Sequence, residues 1–271
     1  MSTLFTGISE LRTVSERGTL NDAAIIAQSG TIAWVGPASE APAADEKVDL
    51  GGRAVLPGWV DSHTHMVFDG DRSAEFEARI SGGSYEAGGI AVTMDATRQA
   101  GTDRLDQLVA DRVAAGRRGG TTTFETKTGY GLNTESEVEA AKVASRHVDD
   151  VTFLGAHLVP PGADAEEYLD EVVGPMLEGV APYVQWIDVF CERGAFNEEQ
   201  SRRVLEAGKK LGLGLRVHGN QLGEGPGVAL AVELGAASVD HVNHLTDEDV
   251  ELLANSDTVA TMLPACDLST R

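Results

Sequence analysis

Pro57-Gly58-Trp59-Val60-Asp61-Ser62-His63-Thr64-His65 closes an apolar run that begins at residue 54, and it marks a change of pattern along the chain. A short apolar run next to turn residues reads as a buried strand, here 54–60. His63 and His65 stand two apart. On a strand such side chains point to one face, so both imidazoles can reach a single point. Neutral imidazole suits zinc, iron and related divalent metals. His-x-His is a modest signal alone and gains force from its place at a strand end.

Upstream, residues 1–53 carry no good amphipathic helix pattern. Runs 23–28 and 31–35 read as strands joined by Ser29-Gly30, a hairpin signal, with Gly36-Pro37 ending the second. This predicts a small, β-sandwich-like N-terminal domain. Downstream, strand and helix patterns alternate. Strands are expected at 121–125, 151–154, 184–190, 213–217, 237–240 and 258–263. Helices are expected at 104–117, 135–147, 165–178, 198–211, 227–234 and 246–254, the last opened by Thr246 with acidic residues in its first turn. Strict alternation means parallel pairing with helical crossovers. A doubly wound sheet is the rival. Seven units with no Gly-x-Gly-x-x-Gly after the first strand favour an α/β fold of the (β/α)8 TIM-barrel type over residues 54–271. Such a barrel takes about 250 residues. Begun near residue 54 it would run to roughly residue 300, so the expectation is a barrel incomplete after strand seven, from a fragment or closed by something else.

The remaining histidines sharpen the site. His157, His218 and His241 follow expected strands, so five of the seven histidines sit at C-terminal strand ends, where barrel active sites are built. One such residue could merely cap a loop; five on one rim point to a shared site. His147 ends a helix beside Asp149-Asp150 and reads as solvated, and His244 lies in a loop after His241.

Composition excludes several classes. The chain has 271 residues, 21 Lys+Arg against 43 Asp+Glu, and a formal charge of −22. Such a field repels phosphate backbones and anionic lipid, which makes nucleic acid and membranes poor partners. It fits an ordinary acidic enzyme or a salt-adapted one. Cys191 and Cys266 match no metal or redox spacing, which points to a reducing cytoplasm without a disulfide framework. The N-terminus lacks signal-peptide character and no apolar run is long enough to span a bilayer, so a cytoplasmic location is expected.

Residues 57–65 resemble the opening of the amidohydrolase superfamily. The continuation is similar to the imidazolonepropionases: His65-Met66-Val67-Phe68-Asp69-Gly70-Asp71-Arg72, Glu75-Phe76-Glu77-Ala78-Arg79, Tyr85-Glu86-Ala87-Gly88-Gly89-Ile90 and Glu125-Thr126-Lys127-Thr128-Gly129-Tyr130-Gly131-Leu132. Phe153-Leu154-Gly155-Ala156-His157, Asp188-Val189-Phe190-Cys191-Glu192 and Asp240-His241 fit as well. The similarity covers nearly the whole chain. It implies hydrolysis of 4-imidazolone-5-propanoate to N-formimino-L-glutamate in histidine degradation, with one divalent metal, zinc or iron. It makes His63, His65 and His218 the metal ligands. Arg72, Tyr130 and His157 would hold the substrate, Arg72 through a forked ion pair with its carboxylate. Gln221 falls at a substrate-contacting and catalytic position that is Glu in some relatives, and His241 at that of a histidine beside the nucleophilic water. A homodimer is admitted.

The chemistry agrees. Opening a cyclic amide needs an activated water, a polarised carbonyl and a proton for the leaving nitrogen, and a bound metal supplies the first two. The expected strand 184–190 ends in Cys191-Glu192, so the bridging carbamylated lysine of two-metal relatives is lacking, which favours one metal. In the family an eighth strand supplies an Asp ligand and general base, and in residues 1–271 only Asp267 follows strand seven, with no argument placing it there. Two alternatives stay open: another mononuclear amidohydrolase such as a cyclic-amidine deaminase, and an inactive metal-binding barrel fragment.

Overall fold

A computed structural model describes residues 1–73, 76–77 and 90–270; of the quoted motifs, Glu75, 78–79 and 85–89 lie outside the described residues. The chain divides into two units, Met1–Trp59 and Val60–Arg271.

The first unit is one four-stranded sheet built from β1 (Ser2–Arg12), β2 (Thr19–Gln28), β3 (Thr31–Pro37) and β4 (Glu46–Val55), in the order β3-β2-β1-β4. Ser29 and Gly30 both take positive φ, 51° and 78°. Two left-handed residues give the turn whose twist matches the flanking antiparallel strands. β4 lies parallel to β1 on its other side. Ile8, Leu11 and Ala23 form a small core.

The apolar run 54–60 is not one strand. Ala54 and Val55 end β4, paired with Glu10 and Leu11. Pro57, which has no N–H to give a ladder, separates them from β5 (Trp59–Asp61).

Six further strands follow: β6 (Thr121–Lys127), β7 (Asp150–Ala156), β8 (Trp186–Cys191), β9 (Gly214–Gly219), β10 (Ser238–His241) and β11 (Val259–Thr261). With β5 they form a seven-stranded sheet in sequential order from β5 to β11. β6 to β11 pair in parallel throughout. A doubly wound sheet reverses its order at a switch point, and this one never does, so these are seven consecutive strands of a (β/α) barrel.

Helices pack on the sheet by the expected periodicity. Leu105, Val109 and Val113, four apart, form the buried stripe of helix Thr102–Arg118. Helix Glu198–Lys210 approaches β8 closely because Gly208 faces Ile187; a Cβ there would lie 2.3 Å from Ile187 Cγ2. Asn197 with Gln200, and Thr246 with Asp249, form reciprocal caps at two helix starts. The single helix expected at 165–178 is broken. Ala165–Glu171 runs into a π-turn at Val172–Met176, where Gly174 leaves helical geometry and Pro175 lacks a donor. Helices Ile90–Ala100 and Pro264–Thr270 were not foreseen from the pattern.

Candidate metal centre

Every parallel strand ends on the same rim, and the chemistry-bearing residues collect there. His63 and His65 follow β5, His157 follows β7, and His218 and His241 lie in the last residues of β9 and β10. One nitrogen from each of His63, His65 and His218 lies within 4.8 Å of the others. The His63 ring sits 4.7 Å from that of His218 and 5.3 Å from that of His65. His241 closes one side, 5.2 Å from His218 and 5.4 Å from His63. His157 stacks on His65 at 5.6 Å on the other.

Buried carboxylates orient two of the first three rings, those of His63 and His218. Asp240 Oδ2 is 2.7 Å from His63 Nδ1, and Asp188 Oδ1 is 3.0 Å from His218 Nδ1. A carboxylate at Nδ1 keeps the proton there and leaves Nε2 as a lone-pair donor, the usual arrangement behind a metal-ligating histidine. His218 Nε2 and His65 Nδ1 are buried and meet no hydrogen-bond partner. A buried polar atom left unpaired is costly, and a cation among these nitrogens would satisfy the set. The residues therefore fit a metal.

Electrostatics favours the neutral form of His63, His65, His157 and His241. Burial, followed by neighbouring positive charge, lowers His63 and His65 well below the ordinary value of 6.5. Burial and then the His218 ring bring His157 to about 4 and His241 to about 3. Burial alone would raise Asp188, but His218 and Lys127 outweigh it and bring its carboxyl to about 2.

Tyr130 lies in the loop after β6, its ring 5.8 Å from His65, 5.6 Å from His157 and 5.4 Å from Phe68. The loop folds round one buried carboxylate. Glu137 Oε2 accepts from the Gly129 N–H at 2.8 Å, and Oε1 accepts from Gly131 and Leu132 at 2.7 and 2.9 Å. Arg98 donates to the carbonyls of Gly131 and Leu132. Gly129 lends its carbonyl to His157 Nδ1 at 2.9 Å, which ties the two substrate-side candidates together.

The other expected residues are placed less tightly. Arg72 is partly buried, and its charge is one of the causes lowering His157. Gln221 and Leu222 donate backbone N–H groups to Glu192 Oε2 at 2.9 and 3.0 Å, which anchors the loop after β9. His241 holds φ at 80° and Val242 at 48°, a left-handed pair of non-glycine residues beside the cluster. Asp267, which no sequence argument brought here, has Oδ1 3.8 Å from His241 Nδ1 and 2.8 Å from Asn243 Nδ2. His147, half-buried, lies 3.0 Å from Asp106 Oδ1, and the His244 backbone donates to the Asn220 carbonyl and accepts from the Asn220 side-chain amide.

Sequence reasoning assigned no role to Glu125, Lys127, Asp188, Asp240 or Glu137, all buried. A signal was available for two of them. Asp188 interrupts the apolar run of β8 and Asp240 lies in the short buried strand β10, and an acid in a buried strand needs a partner.

No family model matches the chain. Curated relatives do. An imidazolonepropionase of Arthrobacter sp. (strain FB24) is 63% identical over 282 aligned residues, covering 100% of this chain and 70% of the relative. That of Saccharopolyspora erythraea is 64% identical with the same coverage, and that of Streptomyces coelicolor is 53% identical, covering 100% and 71%. Among solved structures, a triazine hydrolase superposes with TM-score 0.67 at 16% identity, covering 99% of this chain and 66% of that one. A guanine deaminase of C. acetobutylicum gives TM-score 0.67 at 13% identity, covering 100% and 69%. The structural likeness carries the fold. This chain spans about 70% of the length of its curated relatives and about two thirds of those structures.

Proposed function

Since this chain belongs to the imidazolonepropionase family, we propose that it furnishes the metal-binding and substrate-holding part of a hydrolase that opens the cyclic amide of 4-imidazolone-5-propanoate to N-formimino-L-glutamate in histidine degradation. The observation that carries this is the convergence of His63, His65 and His218, with Nε2 of His218 buried and unpaired. These three hold one divalent ion, zinc or iron. When bound, the ion polarises the scissile carbonyl and acidifies a water.

The chain's own groups do the rest. Tyr130 and His157 flank the ring being opened, and Arg72 takes the propionate carboxylate in a two-pronged ion pair. Gln221 contacts the substrate from the loop after β9. His241, neutral because burial holds its pKa near 3, accepts and returns protons as charge develops.

Product identification tests this. The complete polypeptide carrying this chain should consume imidazolone propionate and yield N-formimino-glutamate, with one water added and no ammonia. Turnover of a cyclic amidine with ammonia release, and none of imidazolone propionate, would overturn the proposal in favour of a deaminase.

A further inference from the structure

One lysine is placed where solvent does not reach it. Lys127, the last residue of β6, is fully buried. Its Nζ lies 2.8 Å from Glu125 Oε1, 3.5 Å from Asp188 Oδ2 and 3.7 Å from Asp240 Oδ2. Burying an ammonium costs several kcal/mol unless partners surround it, and here they do. Two of these partners are the carboxylates that orient His218 and His63. The third, Glu125, also receives the N–H of Thr64, the residue between His63 and His65, at 3.1 Å. A single cation thus lies within 3.7 Å of Glu125 and of both carboxylates that orient His63 and His218. Counted formally, three carboxylates against one ammonium leave two negative charges, the complement of a divalent ion.

We propose that Lys127 is a positioning residue for the metal, bridging Asp188 and Asp240 so that the rings of His63 and His218 are held in register for one divalent ion. The inference rests on the metal assignment above but not on the substrate. With the bridge gone, Asp188 and Asp240 would repel each other unscreened and turn apart, and each would carry its imidazole with it. Partners behind metal ligands commonly contribute about 10- to 100-fold in metal affinity.

Two variants separate positioning from bulk charge. Lys127→Met removes the cation alone. Glu125→Gln/Lys127→Met removes a charge pair, so the cluster keeps its net charge and the fold is spared an unbalanced carboxylate; the glutamine keeps an oxygen for the Thr64 N–H. Cobalt(II) is titrated into the metal-free complete polypeptide against a competing chelator, and the visible d–d bands are recorded. We expect both variants to bind cobalt at least about tenfold more weakly and with altered d–d bands, in line with that range. Wild-type affinity and bands in the double variant would overturn the proposal, since net charge alone would then suffice. Should Lys127→Met fail to fold, the double variant decides. His63→Ala/His65→Ala tests the premise apart: if it binds cobalt as the wild type does, the metal assignment falls and this inference with it. Normal binding by the lysine variants leaves the metal assignment standing.

Discussion

Glu137 acts on Tyr130 through the backbone, and this makes it the clearest test at the scale of a residue. Its carboxylate gathers three N–H groups of the 129–132 loop. Burial nevertheless pushes its carboxyl above the ordinary value against those donors. Losing the charge therefore recovers part of the desolvation cost. We expect Glu137→Gln to cost about 1–2 kcal/mol in urea unfolding rather than the sum of three bonds, and to raise KM because one N–H now faces an amide donor. Unchanged stability and KM would remove Glu137 from the site. Arg72→Lys should raise KM about tenfold or more with kcat little changed, because an ammonium cannot reproduce the fork. Equal KM in steady-state assays would contradict the carboxylate contact. The five clustered histidines were legible in the sequence because side chains at strand ends carry their own chemistry. Glu137 was not, because the three loop N–H groups it gathers are backbone, which leave no mark in residue identity.

At the scale of elements, the β6 loop depends on Gly129. It holds φ at 102°, and a Cβ there would lie 2.5 Å from the Leu154 carbonyl oxygen. Gly129→Ala should therefore destabilise by about 2 kcal/mol or more, combining left-handed strain with a backbone clash. Tyr130 would move with the loop, so turnover should fall alongside the midpoint of thermal unfolding. A variant with wild-type melting and turnover would show that the loop can relax freely. Alternation of β-branched runs with amphipathic stretches made strands β6 to β11 readable before the structure. The run 54–60 reads as one strand because Val55 and Val60 are equally apolar, and only pairing partners assign one to β4 and the other to β5. The break after Glu171 was overlooked although Gly174-Pro175 announces it.

At the scale of the molecule, the buried imidazoles make stability depend on acid. The ordinary histidine value is 6.5, whereas His157 and His241 fall to about 4 and about 3 in the fold. The unfolded chain thus binds more protons between these values, so stability is complete above about pH 6.5 and drains as pH falls through 4 and 3. Metal-free protein should show this loss in melting temperature, and bound metal should move it to lower pH by competing with protons. A flat melting temperature from pH 7 to 4 would contradict the neutral-imidazole description. The most direct measurement is metal content by elemental analysis of the complete polypeptide, purified alongside its His63→Ala/His65→Ala variant. We expect close to one divalent ion per chain in the wild type and almost none in the folded variant; full metal content in the variant would contradict the assignment of His63, His65 and His218 as the ligand set.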